Sequence, residues 1–179
     1  ALMTDQLARL TRLVEDIHDV SRAEEGRIEL DCSPHPVEEL LRTAVEAHRE
    51  AYAAKGVHLV LDAGDVGRVV EVDRQRIGQV LGNLLTNALR HTPAGSRVTL
   101  EARQSPSGVT LSVTDTGEGI SPEHLPHVFE RFYRAPESRS MPGSGLGLAI
   151  VKQVFDRHNA TIVAEASDDG GARFRVVFP

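Results

Sequence analysis

The sequence predicts an α+β fold, a two-layer α/β sandwich in which helices cover one face of a mixed sheet. Three segments with apolar residues spaced three and four positions apart predict helices, at residues 37–55, 74–91 and 148–158. Short apolar or alternating segments predict the strands, which are 57–61, 69–72, 97–103, 109–114, 161–166 and 173–178. Stacking these helices on one face of the sheet buries their apolar sides in one core.

The boundaries of these elements carry typical residues. Gly56 ends the first of the three helices, and Asp73 can cap the start of the second. Residues 105–108, Ser-Pro-Ser-Gly, predict the turn of a hairpin. Ser121 and Pro122 predict the start of a short additional helix, with serine as its cap and proline in its first turn.

Residues 1–26 predict a further helix that precedes the sandwich. Its apolar seam repeats at three and four positions, as in a coiled coil, through Leu7, Leu10, Val14, Ile17 and Ser21. Spacing alone leaves two interpretations open: a helix docked on the chain's own core, or one helix of a bundle shared between subunits. Residues 27–36 predict a short strand and a proline-stiffened linker.

Composition excludes some classes of function. A formal net charge of −6 and a pI of about 5.7 argue against nucleic acid as a partner, because nucleic-acid binding usually needs a basic face. Cys32 is the single cysteine, so no internal disulfide can form. No apolar run approaches the roughly 20 residues that cross a bilayer, and we expect these residues to be soluble and cytoplasmic.

One edge of the helix 74–91 carries polar residues of chemical interest. At about 100° per residue, Asn83, Asn87, Arg90 and His91 fall within about a third of a turn of one another. Asparagine oxygens suit Mg²⁺ that is held together with phosphates and water, and Arg90 could meet a phosphate directly. Taken alone, this edge is better explained as a solvated polar flank.

Two glycine-rich segments adjoin predicted elements. Asp115 starts Asp-Thr-Gly-Glu-Gly-Ile at a strand end, where its carboxylate can accept from an exocyclic amine, and Gly117 and Gly119 let a ligand approach the backbone. A tight turn is the alternative explanation. Gly143–Gly147 precedes a helix, and its exposed amides and the helix N-terminus favour a phosphate. This segment lacks the Lys-Ser/Thr of a P-loop and the setting of a dinucleotide fingerprint.

The order of these motifs resembles the ATP-binding domain of sensor histidine kinases, within the superfamily that includes gyrase and MutL-type ATPases. Four segments match the family's boxes, and the match covers residues 37–179. They are the asparagine box at 79–88, the first glycine box at 115–119, the phenylalanine box at 129–134 and the second glycine box at 143–147.

The resemblance implies ATP and Mg²⁺ as cofactors. Asn87 would ligate Mg²⁺, and Asp115 would bind the adenine amino group. The catalytic residues would be Asn83, Arg131 and Arg134; Arg139, a further candidate, is equally well explained as a surface arginine. The remaining nucleotide-binding residues would be Arg90, His91, Gly117, Gly119, Ile120, Gly143, Gly145, Leu146 and Gly147, with residues 134–142 as a flexible lid.

The resemblance also implies a domain layout and partners. Residues 1–26 would be the second helix of the dimerisation module, 27–36 a linker and 37–179 the catalytic domain. The family's acceptor motif is absent and His18 is explained as an exposed helix histidine, so the acceptor would lie upstream. The full protein would be a membrane-attached homodimer, paired through the N-terminal helix, that passes phosphate to a response regulator. These 179 residues alone would bind ATP without autophosphorylation.

Particular residues distinguish two alternative functions from that of a histidine kinase. A hydrolytic ATPase of the same superfamily would carry a glutamate as general base where Asn83 stands, and asparagine cannot take a proton. The non-enzymatic alternative is a module that has lost nucleotide binding, and the intact Asn87, Asp115 and glycine segment argue against it.

Overall fold

A computed structural model describes residues 29–64, 67–106, 108–138 and 143–179, together with Val14. The rest of the predicted N-terminal helix, including His18, lies outside these residues. So do residues 139–142 of the predicted lid, among them Arg139. Among the described residues, every helix falls short of the combined length and apolar character needed to span a membrane. The main elements are β1 (Ser33–Pro36), α1 (Val37–Lys55), β2 (His58–Asp62), β3 (Val69–Val72), α2 (Arg74–His91), β4 (Arg97–Ser105), β5 (Gly108–Asp115), α3 (Gly147–Arg157), β6 (Thr161–Ala166) and β7 (Ala172–Phe178).

The centre of the fold is a five-stranded mixed sheet with the strand order β2-β4-β5-β7-β6. β2 pairs with β4 in parallel, and each of the other neighbouring pairs is antiparallel. β1 and β3 form a separate two-stranded antiparallel sheet. The predicted α+β sandwich is therefore confirmed.

The helices cover one face of the five-stranded sheet. In β4, alternate residues Val98, Leu100 and Ala102 are fully buried, whereas their neighbours are more exposed. β7 follows the same alternation, because successive side chains of a strand lie on opposite faces. The largest fully buried side chains of the core are Tyr52, Phe155, Phe174, Leu41, Ile77, Leu81, Leu84, Leu85, Leu100, Leu146, Ile150 and Val37.

The helix ends carry specific caps and contacts. Gly56 ends α1 in the left-handed conformation (φ 72°), which glycine adopts without a steric penalty. Asp73 caps α2, because its Oδ1 accepts a hydrogen bond from the Arg76 amide at 3.0 Å. The Asp73 amide in turn donates to Nε2 of His158 at 3.0 Å. The start of α2 is thereby tied to the residue that follows α3.

The segment that begins at Ser121 differs from the predicted short helix. It forms turns and then a 3₁₀ helix of three residues, Leu125–His127. Pro126 has no N–H to donate into an α-helix, and it restricts the conformation of the residue before it. These two effects explain why Ser121 and Pro122 do not start an α-helix.

Residues 33–36 contain the short strand that the sequence predicted before α1. They pair with Val69–Val72, and the Val37 amide then donates to the Arg68 carbonyl at 3.2 Å. Prolines are tolerated in β1 because a strand at a sheet edge can leave the missing N–H on its unpaired side. This pairing attaches the chain that precedes α1 to the sandwich.

Replacing Asp73 with alanine should lower the free energy of unfolding by about 1 kcal/mol, because α2 loses its capping oxygen. Asp73→Asn should keep most of that stability, since an asparagine oxygen can accept the same hydrogen bond. Urea unfolding followed by circular dichroism measures both variants. Equal stability of Asp73→Ala and the wild-type chain would contradict the assigned capping role.

Candidate functional site

A cavity of about 1190 Å³ brings the three polar segments of the sequence together. One wall is the edge of α2, the second is the loop after β5, and the third is residues 143–147, which we call the glycine loop. Of the residues predicted from sequence, the following line it: Asn83, Asn87, Arg90, His91, Asp115, Gly119, Ile120, Arg134, Gly143, Gly145, Leu146 and Gly147.

Helix α2 contacts the core with one face and the cavity with the edge beside that face. Ile77, Leu81 and Leu84 are buried, whereas Asn83 and Asn87 are only half-buried and line the cavity. This division follows from the helical period, which separates an apolar stripe from a polar edge. Asn83 also reaches the third wall, because its Nδ2 donates to the carbonyl of Gly147 at 3.4 Å.

Asp115 is a buried carboxylate at the end of β5, with 4% of its surface exposed. Its Oδ1 accepts hydrogen bonds from the amides of Gly117 at 2.9 Å and Ala172 at 3.3 Å. Burial raises the pKa of Asp115, and the two amide hydrogen bonds and His91 act against that rise. Both hydrogen bonds to described residues go to Oδ1, so Oδ2 keeps its capacity to accept from a ligand.

The glycines after Asp115 are also required by the packing of neighbouring backbone. A Cβ on Gly117 would lie 2.3 Å from the carbonyl oxygen of His91, and one on Gly119 would lie 2.7 Å from the carbonyl oxygen of Gly170. Gly119 also has a positive φ of 74°. These glycines let neighbouring backbone segments pack against the loop. Gly119 lines the cavity, whereas Gly117 is absent from its lining.

The glycine loop is fastened to the segment of the phenylalanine box. The Phe132 amide donates to the Gly145 carbonyl at 3.0 Å, and a Cβ on Gly145 would lie 2.8 Å from the Phe132 carbonyl carbon. Arg134 donates from Nη1 to the Gly143 carbonyl at 3.2 Å and also to the Ser138 carbonyl. Two successive segments of the cavity wall therefore hold each other in place.

Arg131 lies outside the cavity lining, in contrast to its predicted contact with phosphate. Phe132, which follows it, has a left-handed backbone (φ 60°), and this segment contributes to the wall from Phe132 onward. Arg134, two residues after this turn, lines the cavity.

Two cationic side chains lie close together at the glycine loop. Arg90 is half-buried, and its Nη1 would lie 2.9 Å from a Cβ on Gly143, whose carbonyl holds Arg134. Burial, and then the charge of Arg134, lower the pKa of Arg90. Within the described ranges, the Arg90 guanidinium forms no ion pair or hydrogen bond. An arginine that is partly desolvated beside another cation favours the binding of an anion.

His91 follows Arg90 at the end of α2 and faces the Asp115 side of the cavity. Burial, and then the positive charge of Arg90, lower the pKa of His91, while Glu118 and Asp115 act in the opposite direction. These effects favour the neutral form of the imidazole.

Several lining residues were missed by sequence reasoning. Gln79 and Thr86 lie on the same edge of α2 as the two asparagines, and the i, i+4 spacing from Gln79 to Asn83 could have identified the first of them. His48, His124 and Tyr133 could not be found in this way, because they come from other elements. The Tyr133 hydroxyl and His124 Nδ1 are hydrogen-bonded at 2.7 Å.

Comparisons with known proteins identify the family of the chain. Residues 72–179 match the family model of the histidine kinase-, DNA gyrase B- and HSP90-like ATPases. A curated relative, the signal transduction histidine-protein kinase BaeS of Escherichia coli (strain K12), is 37% identical over 181 residues; the alignment covers 100% of this chain and 38% of BaeS. The chain thus spans well under half the length of this relative.

Solved structures of histidine kinases share the fold. Full-length ShkA in complex with AMPPNP matches with a TM-score of 0.81 and 30% identity, over 94% of this chain and 35% of ShkA. Histidine kinase ThkA in complex with the response regulator protein TrrA matches with a TM-score of 0.78 and 26% identity, over 99% of this chain and 49% of that chain.

The family model covers more than half of the chain, and the relatives compared above are histidine kinases. The chain therefore belongs to the histidine kinase-, DNA gyrase B- and HSP90-like ATPase family and contains the ATP-binding catalytic domain of a sensor histidine kinase.

Proposed function

We propose that the intact protein binds ATP and Mg²⁺ in this cavity and transfers the γ-phosphoryl group to a histidine. One observation carries the proposal: a buried acceptor, Asp115, and two cationic side chains, Arg90 and Arg134, share one cavity. A carboxylate complements the exocyclic amine of adenine, and arginines complement the charge of a triphosphate.

Asp115 would make the contact with adenine. Because its Oδ1 is already bound by the Gly117 and Ala172 amides, Oδ2 would accept from the exocyclic amino group. His91 lines the same part of the cavity and interacts electrostatically with Asp115. Its neutral ring would offer the base or the ribose a flat surface and a hydrogen-bonding nitrogen.

The phosphates would lie near Arg90, Arg134 and the glycine loop. A bound polyphosphate would offset both effects that disfavour the charge on Arg90, namely its desolvation and the nearby Arg134. The N-terminus of α3 follows the loop and would add unpaired backbone amides and a favourable field. Asn83 would hold the loop beside the phosphates through its contact with the Gly147 carbonyl.

Asn87 would bind Mg²⁺, with Asn83 beside it. Over the described ranges, no three His, Cys, Asp or Glu side chains are grouped so that they could hold a metal ion. A site formed by these two asparagines fits Mg²⁺, which commonly takes its other ligands from phosphates and water beside nucleotides. When bound, the ion would neutralise negative charge on the phosphoryl group in transfer.

The transfer itself would depend on positioning rather than on a protein base. An imidazole nitrogen from outside the described residues would attack the γ-phosphorus in line, the bond to the β,γ-bridging oxygen would break, and ADP would leave. Arg134 is a better candidate than Arg131 for stabilising this charge, because it lines the cavity. Asn83 has no carboxylate with which to activate water, which favours transfer over hydrolysis.

The full reaction would involve parts of the protein beyond the described residues. By extension from ThkA, which is solved with a response regulator, an aspartate of a response regulator would receive the phosphoryl group next. Residues 1–26 would form the second helix of a dimerisation module and 27–36 a linker to the catalytic domain at 37–179. The full protein would be a membrane-attached homodimer with this domain in the cytoplasm.

The sharpest test of the adenine contact is Asp115→Asn. The amide oxygen can keep the hydrogen bonds from Gly117 and Ala172, which leaves an NH₂ group, a donor, facing the donor of adenine. Affinity for AMPPNP should fall roughly 10- to 100-fold, whereas the free energy of unfolding should not fall, since a buried charge is removed. Titration calorimetry measures the affinity, with exposed Asp168→Asn as the matched control. Wild-type affinity in Asp115→Asn would end the adenine assignment.

Replacement of Arg90 by methionine should weaken AMPPNP binding about tenfold and leave adenosine binding nearly unchanged, because only the phosphates would contact the guanidinium. Arg97→Met, an exposed position on β4, serves as the control. The two ligands are compared by calorimetry at fixed ionic strength. An equal loss for adenosine and AMPPNP would place Arg90 away from the phosphates.

The lowered pKa of His91 predicts a pH dependence of stability. Between the folded pKa and the ordinary value of 6.5, the unfolded chain binds more protons than the folded chain, so the free energy of unfolding falls as the pH falls through this window. His91→Gln should flatten this part of the stability curve. Chemical unfolding from pH 7.5 downward measures it; an unchanged slope would contradict the assignment of this effect to His91.

A further inference from the structure

Lys55, the last residue of α1, contacts the far end of α2. Its Nζ donates to the carbonyl of Leu89 at 2.5 Å and to the carbonyl of Arg90 at 3.2 Å. Lys55 is not part of the cavity lining, and nothing in the proposed reaction uses it.

The last four carbonyls of a helix have no partners within the helix itself. In α2, each of these four carbonyls accepts a hydrogen bond from a group outside the helix. The Thr92 hydroxyl donates to the Ala88 carbonyl at 2.7 Å, and the Glu118 amide donates to the His91 carbonyl at 3.4 Å. Thr92 itself is extended (φ −108°, ψ 120°), so no left-handed residue closes this helix. Lys55 satisfies the remaining two carbonyls, and its positive charge suits the helix C-terminus.

The same turn of α2 sets the position of three parts of the cavity. It carries the side chains of Arg90 and His91, which line the cavity. Its final carbonyl, that of His91, also receives the Glu118 amide and packs against Gly117 in the loop after Asp115. A shift of this turn would move the arginine, the imidazole and the loop together.

We propose that Lys55 is a positioning residue for the nucleotide, which clamps the last turn of α2 so that Arg90, His91 and the loop after Asp115 keep their mutual geometry. This inference rests on the function proposed above. Lys55 acts through the backbone of α2 and does not touch the ligand. Because its side chain is exposed, its removal opens no hole in the core.

Lys55 has a second, electrostatic effect on the same turn. Its charge lies close enough to His91 to lower the pKa of the imidazole, together with burial and Arg90 and against Glu118 and Asp115. Loss of the ammonium group should therefore raise the pKa of His91. This effect provides a measurement that does not require a bound nucleotide.

The experiment compares Lys55→Met, Lys55→Arg and Lys152→Met in the 179-residue chain. Methionine keeps much of the apolar stem and removes the charge and the donors, whereas arginine retains both. Lys152, which pairs with Asp156 on α3, is the other lysine of the chain and controls for the loss of one surface cation. Each variant is measured for AMPPNP affinity, for the pKa of His91 by NMR, and for hydrogen exchange of the Glu118 amide, under conditions where all are folded.

We expect Lys55→Met to bind AMPPNP about tenfold more weakly, with a raised His91 pKa and faster exchange of the Glu118 amide. Lys55→Arg should restore most of the affinity, and Lys152→Met should match the wild-type chain. Wild-type affinity in Lys55→Met, or an unchanged His91 pKa and exchange rate, would overturn the positioning role. Failure of the wild-type chain to bind AMPPNP would instead refute the proposed function, and the NMR measurements would still decide the role of Lys55.

Discussion

The buried carboxylate of Asp115 is the constraint on which the candidate site depends. A charge with little exposed surface is costly unless hydrogen bonds compensate, and here the amides of Gly117 and Ala172 do so. Both amides can reach Oδ1 because β5 is paired with β7 and because the backbone just before β7 lies very close to Asp115. A Cβ on Gly171 would lie 1.9 Å from the Asp115 carbonyl oxygen, so the residue before β7 must be glycine.

Helix α2 connects the loop after Asp115 to the rest of the cavity. Its buried stripe anchors it in the core, where the Tyr52 hydroxyl of α1 also donates to the Leu85 carbonyl at 2.7 Å. Its polar edge then projects the asparagines along one wall, and its last turn rests on the loop after Asp115. A polar edge with two asparagines is unfavourable for an isolated helix, which indicates that packing rather than intrinsic propensity stabilises α2.

Desolvation disfavours the charge on two groups of the cavity. Arg90 is partly desolvated near Arg134, and Asp115 has a raised pKa. Each of these effects disfavours the charged form of its group. Under the proposed function, the phosphates would offset the effects on Arg90, and the adenine amino group would donate to Asp115. Shifted pKa values of this kind are typical of functional sites. They also mean that a bound ligand would stabilise the folded chain.

The sequence by itself determined the fold class and the bounds of α1 and α2, because helical and strand periods report which side of each element is buried. Its motifs also identified 12 of the 28 described residues that line the cavity. It could not determine why Gly117 and Gly119 are glycines, that Arg134 rather than Arg131 reaches the cavity, or that Ser121 and Pro122 start turns instead of an α-helix. The first outcome depends on where distant backbone lies, and the last depends on Pro126. Contacts such as those of Lys55 with the end of α2 join residues far apart in the chain, and only the tertiary structure brings them together.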